Sequence, residues 1–172
     1  HFACGGSLPG HIGNAIAVSG DGSTVAVGAP HESNAARGIN GNQDDNSLYQ
    51  SGAVYVYLRR GDTWTQQAYI KASNAGGSDM FGLSLAFSRD GNTLAGAAPW
   101  EASAATGVNG NQNDDSIPQA GAVYIFTRSG NTWSQHSYIK ASNTGRKGVG
   151  DDIEGDQFGF SIALSSDGST LA

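Results

Sequence analysis

Two stretches of the chain concentrate side-chain oxygen. In GINGNQDDNS, residues 38–47, Asn40, Asn42 and Asp44 alternate along the backbone, and Asp45 and Asn46 follow. In GVNGNQNDDS, residues 107–116, the matching places hold Asn109, Asn111 and Asn113, then Asp114 and Asp115. Alternating oxygens around a glycine are how a tight loop wraps a hard cation, and calcium takes about six to eight such ligands. The expected calcium ligands are therefore Asn40, Asn42, Asp44 and Asp45, with Asn109, Asn111, Asp114 and Asp115 in the second copy, and Glu32 and Glu101 stand where each could add a carboxylate. The competing reading needs no ion. Asn, Asp and Gly are the ordinary residues of a long surface turn, and no distal bidentate Glu follows at helix-loop-helix spacing. Both readings stay open here, and duplication alone accounts for the repetition.

Other chemistry is thinner. Asp151, Asp152, Glu154 and Asp156 form an acidic cluster, read either as a cation site or as a solvated turn. His1, His11, His31 and His136 share no metal spacing. No serine sits in a Gly-x-Ser-x-Gly elbow and no Gly-x-x-x-x-Gly-Lys loop is present. Trp64, Trp100 and Trp133 could form a sugar platform or pack between sheets. The expectation is a protein without catalytic activity.

Composition narrows the partners. Nine Lys and Arg against fifteen Asp and Glu give a net charge of −6, and the basic residues occur singly or as the pairs Arg59-Arg60 and Arg146-Lys147. Nucleic acid, which needs a basic stripe, is not an expected partner. No apolar run approaches the roughly 20 residues of a membrane helix. Cys4 is the only cysteine, so the chain cannot form an internal disulfide or a cysteine zinc site. HFACGG is similar to a lipoprotein cleavage box, except that His1 stands where an aliphatic residue belongs, and no charged and apolar leader precedes it in this numbering.

The elements that must carry these residues follow from an internal period. An offset of 69 residues takes GAVYVY at Gly52 to GAVYIF at Gly121, Trp64 to Trp133, and YIKASN at Tyr69 to Tyr138. The same offset takes SGDGSTVAVGAP at Ser19 to SRDGNTLAGAAP at Ser88. A third copy begins at Phe158, 77 residues after Phe81, so eight residues are added within TGRKGVGDDIEGDQ. Each unit reads as four short strands: LSLAFS, a turn at RDGN, TLAGAAP, the long loop, GAVYIFTR, a turn at SGNT, and WSQHSYIKAS. In GAVYVYLR both alternating faces are apolar, so both must be covered. The fold class is thus all-β, with four-stranded blades of β-propeller type in tandem and about two and a half units present.

FGLSLAFSRDGNTLAGAAP, with FGFSIALSSDGSTLA and the degenerate IGNAIAVSGDGSTVAVGAP, resembles the FG-GAP repeat, the blade repeat of integrin α-subunit propellers and of many bacterial secreted and surface proteins. The resemblance spans nearly the whole chain. It implies a propeller, usually of seven blades, placed outside the cell or on its surface and used for adhesion, ligand binding or scaffolding. Many such blades carry Asp-x-Asp-x-Asp-Gly between their first two strands, whereas this chain has one aspartate there, Asp21, Asp90 or Asp167, which reads as a turn residue.

The resulting organisation is an N-terminal segment 1–10, repeat 11–74, repeat 75–143, an acidic insertion 144–157 and a partial repeat 158–172. The expected function is that of an extracellular structural or adhesion module assembling head to tail, with the incomplete unit completed by a strand of a neighbouring chain. The alternative is a calcium-dependent, ligand-binding propeller fragment. Expected partners are copies of the chain itself, or a protein or glycan ligand.

Overall fold

A computed structural model describes residues 14–147 and 154–172. His1, Cys4, His11, Asp151 and Asp152, with the expectations attached to them, lie outside the described residues.

Two four-stranded antiparallel sheets follow one another along the chain, and no helix occurs among the described residues. The first comprises β1 (Ile16–Val18), β2 (Thr24–Ala29), β3 (Ala53–Arg60) and β4 (Thr63–Ile70); the second comprises β5 (Ser84–Phe87), β6 (Thr93–Ala98), β7 (Ala122–Ser129) and β8 (Thr132–Ile139). Strands pair in chain order in both. A short pair, β9 (Arg146–Lys147) with β10 (Glu154–Gly155), lies in what the sequence suggests is simply an acidic loop. The third copy contributes a hairpin held by the Leu164–Leu171 bridge, with Ala163 and Ala172 exchanging backbone hydrogen bonds.

The register repeats as faithfully as the sequence. Val27 faces Tyr55 in the first sheet and Gly96 faces Tyr124 in the second, and each sheet carries one register shift, after Val56 and after Ile125. Beyond that shift Arg59 stands opposite Trp64, and Arg128 opposite Trp133. The first turn of each unit is closed by its aspartate: Asp21 accepts from the Ser19 hydroxyl at 2.6 Å and the Ser23 N–H at 2.9 Å, and Ser19 accepts from the Thr24 N–H. These donors hold the Asp21 carboxyl down to about 2, and Ser165 and Ser169 do the same for Asp167.

Units meet through backbone as well as side chains. The Phe81 N–H donates to the Ser51 carbonyl of the preceding unit at 3.1 Å, while the Gly82 N–H turns back to its own sheet, donating to the Ala97 carbonyl at 2.9 Å. Gly82 lies against Gly28, where any β-carbon would overlap the Gly82 carbonyl, so glycine is required on steric grounds. One unit later the Phe158 N–H donates to the Ala120 carbonyl at 3.1 Å. First turns also touch in series: Gly20 N–H donates to Arg89 carbonyl, and Arg89 N–H to Ser166 carbonyl. Between the first two sheets, Ala17, Ala26, Val54 and Val56 share a core with Phe81, Leu94, Tyr124 and Phe126. On the far side of the second sheet, Ala95, Ala97, Val123 and Ile125 are covered by Phe158, Ile162 and Leu171.

Phe81 is fully buried and stands edge-on to Tyr124, with ring centroids 5.4 Å apart at 86°. Truncation would remove the ring from both units at once. Phe81→Ala is expected to cost about 3–5 kcal/mol in a denaturant titration. A loss under about 1 kcal/mol would show that the ring does not bind the sheets together.

Candidate functional site

The two oxygen-rich loops lie along the open edge of each sheet's last strand. Ile39 forms a bridge with Ile70, and Val108 with Ile139. The Asn40 N–H donates to the Tyr69 carbonyl at 2.7 Å, and the Asn40 side-chain oxygen accepts the Tyr69 N–H at 2.9 Å. Asn109 repeats both bonds on Tyr138. Both asparagines sit at positive φ, 56° and 57°, a conformation that asparagine tolerates better than most residues. Further along, Asn42 accepts from the Asp44 N–H, Asn111 from the Asn113 N–H, Asp45 from the Ser47 N–H and Asp114 from the Ser116 N–H, at 2.9–3.1 Å. These are Asx turns, in which the side chain takes the place of a backbone acceptor. The carboxylates of Asp44 and Asp115 are at exposed positions. Among the described residues no three His, Cys, Asp or Glu side chains gather as a metal would require.

Glu32 and Glu101 do not join the loop oxygens; each is drawn inward to a lysine. Lys71 Nζ lies 2.8 Å from Glu32 Oε2, with side chains 0% and 8% exposed, and also donates to the Ser51 hydroxyl at 2.6 Å. Lys140 Nζ lies 2.6 Å from Glu101 Oε2, with side chains 0% and 1% exposed. Burial lowers the pKa of both lysines, and the paired carboxylate restores part of the shift. Around the second pair, the Tyr138 hydroxyl donates to Glu101 Oε1 at 2.9 Å, and Asn74 Nδ2 reaches the same oxygen at 2.9 Å. Neither lysine belongs to a ligand or catalytic motif in the sequence. Their signal was a charge repeated inside the otherwise apolar YIKAS strand end, at the same offset as the repeated glutamates.

Asp79, in the segment joining β4 to β5, is 5% exposed and accepts the Gly76 N–H at 2.6 Å. Burial pushes its carboxyl up to about 7, and Glu101 and Asp115 add to the shift.

A polar clamp spans the outer part of the first seam. The Gln67 side-chain oxygen accepts from the Arg128 guanidinium and from the Trp133 ring N–H, each at 3.0 Å, while Arg128 also reaches Thr24 and Asn92. The guanidinium lies over the Trp133 ring, 5.3 Å from its centroid. The first unit carries the same pair, Arg59 over Trp64 at 5.9 Å.

Tandem four-stranded antiparallel sheets, the second entered by a Phe-Gly step packed on the first, define a protein built of β-propeller-type blades. Residues 64–126, the stretch that runs from β4 through the seam into β7, match the FG-GAP repeat family model. Such repeats form propeller blades and serve as non-enzymatic structural or ligand-binding modules, typically in extracellular or surface proteins. No curated protein matches the chain. No helix among the described residues is long and apolar enough to cross a membrane.

Two outcomes follow from the buried charges. Glu32→Gln strands the Lys71 ammonium without a counter-charge and should cost about 3–5 kcal/mol by chemical denaturation; an unchanged midpoint would refute the pairing. Asp79 binds its proton more tightly when folded than when unfolded. Its contribution is therefore full below about pH 4 and is lost as pH rises to about 7. Asp79→Asn should flatten the stability-pH curve over that window and raise stability at neutral pH. A slope identical to wild type would contradict this.

Proposed function

We propose that the chain is an extracellular, non-enzymatic structural or adhesion module, and that its exposed first unit receives a second copy head to tail. The observation that carries this reading is a contrast between equivalent tryptophans: Trp133 is 4% exposed and Trp64 is 43% exposed. Their surroundings differ in the same sense. Leu85 and Phe87 pack on the core of the first seam, whereas their counterparts in the first unit, Ile16 and Val18, are 62% and 54% exposed. The first unit thus presents, among the described residues, a face whose twin is covered in the second unit by a repeat of the same kind. Repeated complementary faces favour heterologous, chain-forming association.

Sedimentation velocity over a concentration series tests this. Self-association is expected in the wild type, and Trp64→Ala, a change at an exposed position, should weaken it at least about tenfold, or about 1.4 kcal/mol. A monodisperse monomer at high concentration would refute it. The exposed carboxylates of Asp44 and Asp115 support a second reading, calcium-dependent binding of a protein or glycan ligand. The structural reading predicts that a chelator leaves the melting temperature and association unchanged, because the neighbouring loop oxygens already hold backbone N–H groups. A drop of several degrees would favour calcium.

A further inference from the structure

The Lys140–Glu101 pair differs from its counterpart in the side chains that reach it. Asn74, from the segment between β4 and β5, extends its carboxamide into the pair. Asn74 Nδ2 donates to Glu101 Oε1 at 2.9 Å and to the Gln112 carbonyl at 3.1 Å, and its Oδ1 accepts the Tyr124 hydroxyl at 2.6 Å. Lys140 Nζ occupies the other carboxylate oxygen at 2.6 Å. In the first unit Glu32 Oε1 accepts the backbone N–H of Asn34 instead of a side-chain amide. Amine and carboxamide are therefore bridged by a single glutamate, beside the fully buried Tyr124 and Tyr138.

We propose that Lys140 and Asn74 become joined by an isopeptide bond, with Glu101 relaying the protons. Glu101 Oε2 takes a proton from the ammonium, and the freed amine adds to Asn74 Cγ. The carbonyl electrons move to Oδ1, where the Tyr124 hydroxyl stabilises the developing oxyanion. The Glu101 carboxyl then gives its proton to Nδ2 and takes a second one from the former amine. The C–Nδ2 bond breaks and ammonia departs, carrying that last proton as ammonium. One C–N bond forms and one breaks, Glu101 ends as a carboxylate, and nothing is oxidised or reduced.

The surroundings suit each part of this step. Burial makes the Lys140 ammonium easier to deprotonate, and burial holds the Tyr124 phenol well above its ordinary range, so it remains a donor. Asn74 is only half-buried, which leaves the ammonia an exit. The bond would tie the inter-unit segment to the residue following β8, in a chain whose single cysteine allows no internal disulfide.

The test is the intact mass of the purified chain followed by tryptic mapping. Wild type should weigh one ammonia less than its sequence, resist trypsin after Lys140, and yield a branched peptide linking Lys140 to Asn74. Glu101→Gln and Lys140→Arg should both show the full sequence mass. A wild type at full sequence mass overturns the proposal, whether or not the variants fold. So does an ammonia deficit that maps to a succinimide at Asn40 or Asn109, each followed by glycine, with cleavage after Lys140 retained.

Discussion

Everything else in the molecule depends on the approach of Phe81-Gly82 to the strands of the preceding sheet. The Gly52–Phe81 bridge and the contact with Gly28 leave no room for a β-carbon, so the strand that opens the second unit is anchored in the first. A single four-stranded sheet with two apolar faces cannot bury both on its own. Entry by backbone contact fixes the distance between sheets, and that distance decides which side chains meet. Val54 and Val56 then find Phe81 and Tyr124, and the Ala- and Gly-rich second strands make the close spacing possible.

Charge is handled inside that frame. Each unit's long connection must leave the sheet after β2 or β6 and return to β3 or β7 without stranding polar groups. The asparagines solve part of this by pairing with the edge of β4 or β8. The lysine-glutamate pairs solve the rest, because each joins the start of the loop to the residue just past the last strand. An ion pair so deeply buried adds little net stability over an apolar pair, but breaking it is costly, so it makes the loop position specific.

The strands were legible because their pattern is local. Asp-Gly turns, alternating apolar residues and an undisturbed period place β5 to β8 within three residues of where they lie, and the alternating faces of GAVYVYLR correctly require a cover. The loops were legible as polar turns, but their roles were not. An oxygen that accepts a backbone N–H and one that ligates a cation come from the same residue types, and only the path of the chain separates them. Glu32 and Glu101 were grouped with the loops because they are near in sequence, whereas their lysines lie 39 residues away. The Gln67–Arg128–Trp133 clamp was hidden for the same reason, since it joins residues of different repeats, and Gln67 is replaced by His136 in the next copy.

Units joined in this way form one cooperative stack rather than beads on a string. Native-state hydrogen exchange at Phe81, Gly20 and Arg89 discriminates between these, since their amides donate across the seams. These amides should exchange only with global unfolding, at the rate of the central strand amides of Val54 and Tyr124. Exchange at the seam faster by orders of magnitude, with both sheets still protected, would show instead that the units open independently.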